Sequence, residues 1–328
     1  METAPPPKRR RTETDAGSEP DPPAPPLTRS TEYWFDGGDI VLQVESTQFR
    51  LLKSILSMHS SVFRDMFTIP LPKDEPTPPV VVLPGDTAQD WTLLLGVIFP
   101  KSFSTELPPF RLVAAMLRLS KKYDFPLFRK ECVRRLKEEF PTSLAEYNKV
   151  SAGWTFLTLG NEEILLSVVS LAREIGLPSI LPLTYCLVVG GDENLSMTKI
   201  LDPDDRSVNA TDRLACLIGH ARLLKLESTT MFAWLNCEVE PREIPSETCN
   251  DRVACNAAVV KVFFRLFNPH PQFWILHEWR KNWEDGICRP CRKKAKDIYD
   301  AGRETCWQQL PAVFGLPDWE ELDTLDFE

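Results

Sequence analysis

Four thiols towards the C-terminal end of the chain have the spacing that best suits chemistry. Cys288 and Cys291 stand as "CRPC", a two-residue spacer that lets both sulfurs reach one metal ion. Cys249 and Cys255 stand upstream as "CNDRVAC", a looser pair with five residues between them. Together the two pairs suffice for one tetrahedral zinc ion that would pin two C-terminal helices together, with Cys306 or His270 as substitute ligands. Free thiols satisfy the same spacing. A redox role for the CxxC suits the chain less, because the strand-to-helix setting of thioredoxin-like motifs is missing. The nine cysteines are an odd number spread over 328 residues with no secretory signal, which disfavours a disulfide framework.

Other reactive constellations are absent from the sequence. His59, His220, His270 and His277 sit in no catalytic frame, and "HEWRK" at His277 lacks the second histidine of a zinc protease. There is no Gly-rich phosphate loop and no G-x-S-x-G, and only 14 glycines are available to build one. An enzyme is therefore not expected, nor any cofactor beyond a structural zinc. A net charge of -9 argues against a chain-wide nucleic-acid surface. The longest apolar stretch, "ILPLTYCLVVG" from Ile180, is too short and Pro-broken to span a bilayer, so no membrane contact is expected. The expected location is the nucleus or the cytoplasm, and the sequons at Asn194 and Asn209 read as accidental.

The elements that would position these residues follow from periodicity. Residues 1–30 are dense in Pro and charge and read as a disordered tail. Within it Lys8, Arg9, Arg10 and Arg11 fit either a nuclear import signal or a solvated charge run. Residues 39–44 and 48–51 read as a hairpin turned by "EST". Apolar positions from Leu52 to Phe67 then fall three and four apart, with Ser60 or Ser61 capping a second helix. "VVVL" at 80–83 reads as a short buried strand, followed by a helix capped by Asp86 or Thr87 and bearing Trp91, Leu94, Leu95 and Ile98. Further helices are expected at 109–122 and from Pro126, the latter with Leu127, Phe128, Cys132 and Leu136 on its inner face.

Two stretches of this segment, "DIVLQVESTQFRLLKSILSMHSSVFRDMF" and "LRLSKKYDFPLFRKECVRRL", resemble the opening and closing parts of the BTB/POZ domain. The resemblance covers about 34–140 and rests on an Asp before the first strand, the Phe of the second, and the "IL...S..F..MF" run. One departure is Leu52, where many members have a His before the basic residue. The C-terminal "CRPCRKKAKDIYDAGRETCWQQLPAVFGLPDWEEL" is similar to the end of a large fungal, basidiomycete-type group of BTB proteins. The expected fold is thus α+β: a BTB/POZ domain over 31–145, a short β-sheet in a helical shell, followed by an all-α domain over 146–328. In the latter, helices are expected from Asn161 to Gly176, from Asp202 and Pro203 with Leu214, Leu217, Ile218, Ala221 and Leu224 on one stripe, at 253–267 and at 288–310.

The resemblance implies an interaction module that forms a homodimer. Asp39 and Lys53 match the positions that line a charged pocket in BTB dimers; an ordinary salt bridge supporting the fold is the other reading. Trp34, Phe35, Val62, Phe63, Met66 and Phe67 are candidates for an apolar association face, most of them also candidates for the core, with Trp34 and Phe35 the exposed anchors. A cullin scaffold plus a protein client would make the chain a ubiquitin-ligase adaptor. Many cullin-binding members of the family the chain resembles carry a hydrophobic-x-Glu element soon after the "MF" run, whereas here Lys73 stands two places before Glu75. The alternative is a nuclear transcriptional co-regulator without direct DNA binding, since no linked zinc fingers or basic-helix heptads are present. The closing "DWEELDTLDFE" reads as a partner-binding segment or a solvated helix end.

Overall fold

The computed structural model describes residues 26–70, 77–101, 106–150, 154–158, 164–190, 195–202, 204, 208–236, 242–267 and 273–327. Strands β1 (Thr28–Trp34), β2 (Ile40–Val44) and β3 (Thr47–Leu51) lead into α1 (Lys53–His59) and α2 (Ser61–Met66). Then come β4 (Val80–Val82), α3 (Ala88–Ile98), α4 (Phe110–Tyr123) and α5 (Pro126–Glu139). The remainder is helical: α6 (Leu144–Val150), α7 (Ile164–Ile175), α8 (Leu181–Gly190), α9 (Leu195–Leu201), α10 (Ala210–Thr229), α11 (Arg252–Phe267), α12 (Arg289–Val313) and α13 (Trp319–Thr324). The fold class is α+β.

The sheet has the order β1-β3-β2-β4. β2 and β3 are antiparallel with Val44 opposite Thr47, which leaves Glu45 and Ser46 as a two-residue turn. Glu45 takes the left-handed conformation that this tight reversal requires (φ 51°). Ile40, Leu42 and Val44 alternate onto the core face, where Phe49 and Leu51 meet them. β1 starts inside the stretch expected to be tail. It escapes the alternation rule because it is an edge strand on which only Tyr33 is buried. β4 is likewise an edge strand, with Val80 and Val82 exposed rather than buried.

Ser60 joins the two short helices to the rest of the shell. Its Oγ accepts the Phe63 N–H (3.0 Å) and donates to the Tyr123 carbonyl, so the start of α2 is fixed to the end of α4. Around this joint Phe63, Trp91 and Tyr123 stack at centroid distances of 5.0–5.8 Å. Asp86 satisfies the polar ends of that cluster, accepting from the Trp91 indole (2.9 Å) and the Tyr123 hydroxyl (2.6 Å).

Two expected helix faces point elsewhere. On α5 the inward residues are Cys132, Leu136 and Glu139, whereas Leu127 is 72% exposed. Five positions before Cys132, it sits about 140° around the helix from that face. α10 begins at Ala210, capped by Asn209, whose Oδ1 accepts the Asp212 N–H (2.8 Å). Its buried face is Asp212, Cys216, Gly219, Leu223 and Glu227, so Leu214, Leu217, Ile218 and Ala221 face solvent. Polar partners inside set this rotation. Asp212 bonds Arg173 and the Tyr185 hydroxyl, and Glu227 accepts the N–H groups of Trp274 and Ile275. The Asn161 cap, Pro203 and the Asn194 sequon lie outside the described residues.

One hydrophobic core runs from the sheet into the helical remainder. Glu139, buried at the end of α5, accepts the backbone N–H groups of Thr155, Phe156 and Leu157 and so fixes the next segment. Further on, Arg303 of α12 reaches back to Asn148 (2.7 Å), and the Trp307 indole donates to the Thr142 carbonyl. The acidic C-terminal stretch is docked. Leu322 of α13 is buried, Asp326 lies 2.6 Å from Lys137 of α5, and Arg129 stands 4.4 Å over the Phe327 ring.

Candidate protein-interaction surface and cysteine cluster

Asp39 and Lys53 come together, but not as a buried ion pair. Asp39 is exposed, and its Oδ1 accepts the backbone N–H of Lys53 at 2.7 Å, capping the first turn of α1. The Lys53 ammonium instead lies 5.7 Å from the centroid of Phe67. An ordinary side-chain salt bridge between the two is therefore not what supports the fold here. Both groups remain at the surface, available to a second molecule.

The apolar candidates divide by depth. Phe63 belongs to the core. Met66 and Phe67 are half-buried against it, as is Phe35, whose ring lies 4.8 Å from Phe99. Trp34 is half-buried beneath Arg29, whose guanidinium stands 4.5 Å from the ring centroid, so neither aromatic is a free anchor. Exposed large apolar side chains of the helical shell include Val62 (41%), one of the association-face candidates, Leu127, expected on an inner face, and Met58 (68%). Met58 and Leu127 directly flank in sequence a stack of His59 on Phe128, centroids 5.4 Å apart. Only a helix phase could have revealed them, and short helices such as α1 give periodicity little to work with.

The sequence of residues 32–139 matches the sequence model of the BTB/POZ domain. This segment is a BTB/POZ domain. Among curated proteins, none matches the chain. A BTB/POZ domain is in general a protein–protein interaction module rather than an enzyme fold. The match runs from Glu32 in β1 to Glu139 at the end of α5, so the hairpin, the α1–α2 pair and the His59–Phe128 stack all lie within the domain. Lys73 and Glu75, at the place of the cullin-binding element, lie outside the described residues, as do Lys8, Arg9, Arg10, Arg11 and His270.

Beyond the BTB/POZ domain, the structure brings all four thiols of the two spaced pairs to one point. The Sγ atoms of Cys249, Cys255, Cys288 and Cys291 lie within 4.8 Å of one another, with 3.8 Å between Cys288 and Cys249. Cys255 and Cys291 are buried and the other two half-exposed. Each pair stands at a helix start: Cys249 precedes α11 and Cys255 lies in its first turns, while Cys288 caps α12 and Cys291 follows one turn on. Backbone donors point at the sulfurs: Cys288 N–H to Cys255 Sγ (3.3 Å) and Ser246 N–H to Cys291 Sγ (3.2 Å). Burial pushes the Cys255 thiol up to about 12. At Cys288 burial also raises the thiol, but hydrogen bonds from the N–H groups of Asn250 and Cys291 outweigh it and bring it down to about 6. Cys306 stands apart, 3.1 Å from the Thr230 hydroxyl. Beside the cluster a polar groove of about 810 Å³ is lined by Arg242, Arg252, Lys293, Lys294 and Asp297 among others.

The remaining described histidines have packing roles. His220 meets Phe273 edge-on at 4.9 Å and burial lowers its pKa, and the His277 carbonyl accepts the Tyr299 hydroxyl (2.9 Å).

Proposed function

We propose that the chain works by binding other proteins and performs no chemistry. Its BTB/POZ part, 31–145, associates with a second copy, and its helical part, 146–328, holds a client. The BTB/POZ match over 32–139 carries this reading. Two surface features support it. Exposed apolar side chains on the BTB/POZ domain are what an association face needs, and α10 turns Leu214, Leu217 and Ile218 to solvent at helical spacing. In this reading Trp34, Phe35, Asp39, Lys53, Met66 and Phe67 rim the association face, with Phe63 supporting it from the core.

A cullin-type ligase scaffold is the larger assembly into which a dimeric adaptor of this kind fits. The "CRPC…DWEEL" resemblance to basidiomycete-type BTB proteins supports the same architecture over the whole folded chain. The second reading, a nuclear co-regulator without direct DNA contact, is favoured by the basic run Lys8–Arg11, which would direct the chain to the nucleus rather than the cytoplasm. Affinity purification of the tagged full-length chain from its own host, with mass spectrometry, separates the two. A cullin with a reproducible client set is the expected result. Chromatin factors instead would favour the second reading, and recovery of the chain alone would reduce the proposal to a self-assembling scaffold.

A further inference from the structure

We propose that Cys249, Cys255, Cys288 and Cys291 bind one Zn²⁺ as a closed, structural tetrathiolate centre that ties the starts of α11 and α12 together. Four thiolates at about 2.3 Å from a zinc ion stand about 3.8 Å apart at the corners of a tetrahedron. The four sulfurs here are already within 4.8 Å of one another, and one pair is at 3.8 Å, so closing the site needs only side-chain adjustment. A pair of disulfides would require only two separate pairings. It gives no reason for all four sulfurs to converge.

The surroundings suit a charged metal–sulfur group. Binding Zn²⁺ releases the thiol protons to solvent and leaves a centre with a net charge of about -2. That charge sits at two helix starts, where the unpaired N–H groups favour an anion. Backbone N–H groups of Ser246 and Cys288 already aim at Cys291 and Cys255, the outer donors that orient thiolate ligands. The segment Cys288–Lys294 adds Arg289, Arg292, Lys293 and Lys294 in a chain whose net charge is negative. With four sulfur ligands there is no open position for substrate, so the role is structural. Half-exposed Cys249 and Cys288 give the ion a way in.

The consequence reaches the packing of this end of the molecule. Ser246 and Cys249 lie on the segment leading into α11, and Cys288 ends the segment leading into α12. A single ion would fix both segments and the helix starts in one step.

The test is metal content and metal geometry in the full-length chain, purified under reducing conditions without chelator. About one zinc per chain is expected by elemental analysis. After zinc removal, Co²⁺ should restore intense thiolate-to-cobalt charge-transfer bands with tetrahedral d–d absorption. Cys288→Ser should lose the zinc and the full charge-transfer intensity, while Cys216→Ala, outside the cluster, should keep both. If Cys288→Ser does not fold, the cobalt spectrum of the unaltered chain still decides. Folded protein with little zinc and only octahedral cobalt absorption would overturn the proposal. So would peptide mapping that finds these four cysteines as disulfides in protein prepared with zinc and reductant.

Discussion

Glu227 shows how much a single residue can determine. Its carboxyl is buried on α10 and accepts the N–H groups of Trp274 (2.8 Å) and Ile275 (2.7 Å). Burial nevertheless pushes its pKa up to about 8, from an ordinary 4.5, against the opposing pull of those two bonds. Below the ordinary value both folded and unfolded chains hold the proton and no penalty exists. Between about 4.5 and 8 the unfolded chain releases it while the folded chain keeps it, so stability falls as pH rises, by up to about 1.4 kcal/mol per unit. Glu227→Gln keeps an acceptor for both N–H groups and removes the titration. Urea midpoints measured from pH 5 to 8 should therefore fall more steeply for the unaltered chain than for the variant; parallel profiles would contradict this. Nothing in the sequence distinguishes Glu227 from a solvent-facing helical Glu, because its partners come from a segment nearly fifty residues away. The convergence of the four cysteines was partly legible for the opposite reason: the two-residue spacer of Cys288 and Cys291 is itself a sequence property, whereas the five-residue spacer of Cys249 and Cys255 is a looser signal.

At the scale of elements, close helix contacts depend on absent side chains. A Cβ built on Gly302 of α12 would lie 2.5 Å from the Met231 nitrogen and 2.6 Å from its Cα, and backbone cannot swing aside. Intrinsic propensity favours Ala over Gly in a helix by about 1 kcal/mol, whereas overpacking costs about 1–3 kcal/mol, more where backbone is struck. Packing should win: Gly302→Ala is expected to lower stability by about 2 kcal/mol in urea denaturation. Gly96→Ala on α3, where the nearest atom is the Tyr33 hydroxyl oxygen at 3.3 Å, should be neutral or slightly stabilising. A Gly302→Ala variant as stable as the unaltered chain would refute the argument. Strong local signals made the hairpin and the span of α11 readable in advance, and narrowed each of two caps to a pair of residues, Ser60 or Ser61 and Asp86 or Thr87, of which Ser60 and Thr87 are the ones used. β1 and the rotation of α10 were not readable. An edge strand needs no buried alternation, and α10 buries two carboxylates whose partners lie on other elements.

For the whole molecule, the BTB/POZ domain and the helical remainder share one core and are joined by hydrogen bonds and ion pairs of Lys137 and Thr142 with Asp323, Asp326 and Trp307 near the chain's far end. An assembly formed through the BTB/POZ domain would thus carry the exposed α10 stripe in a fixed orientation, which suits a protein that presents a client. The domain's identity could be read from motifs because several short features recur in order. Its exposed face could not, because exposure depends on how short helices are rotated against the core. Self-association is the central claim, and sedimentation equilibrium of the full-length chain at micromolar concentration tests it most directly. The account predicts a species of twice the 37.4 kDa chain mass, weakened when Met58 and Leu127 are both changed to Glu. A single species at the mass of one chain across the whole concentration range would contradict it.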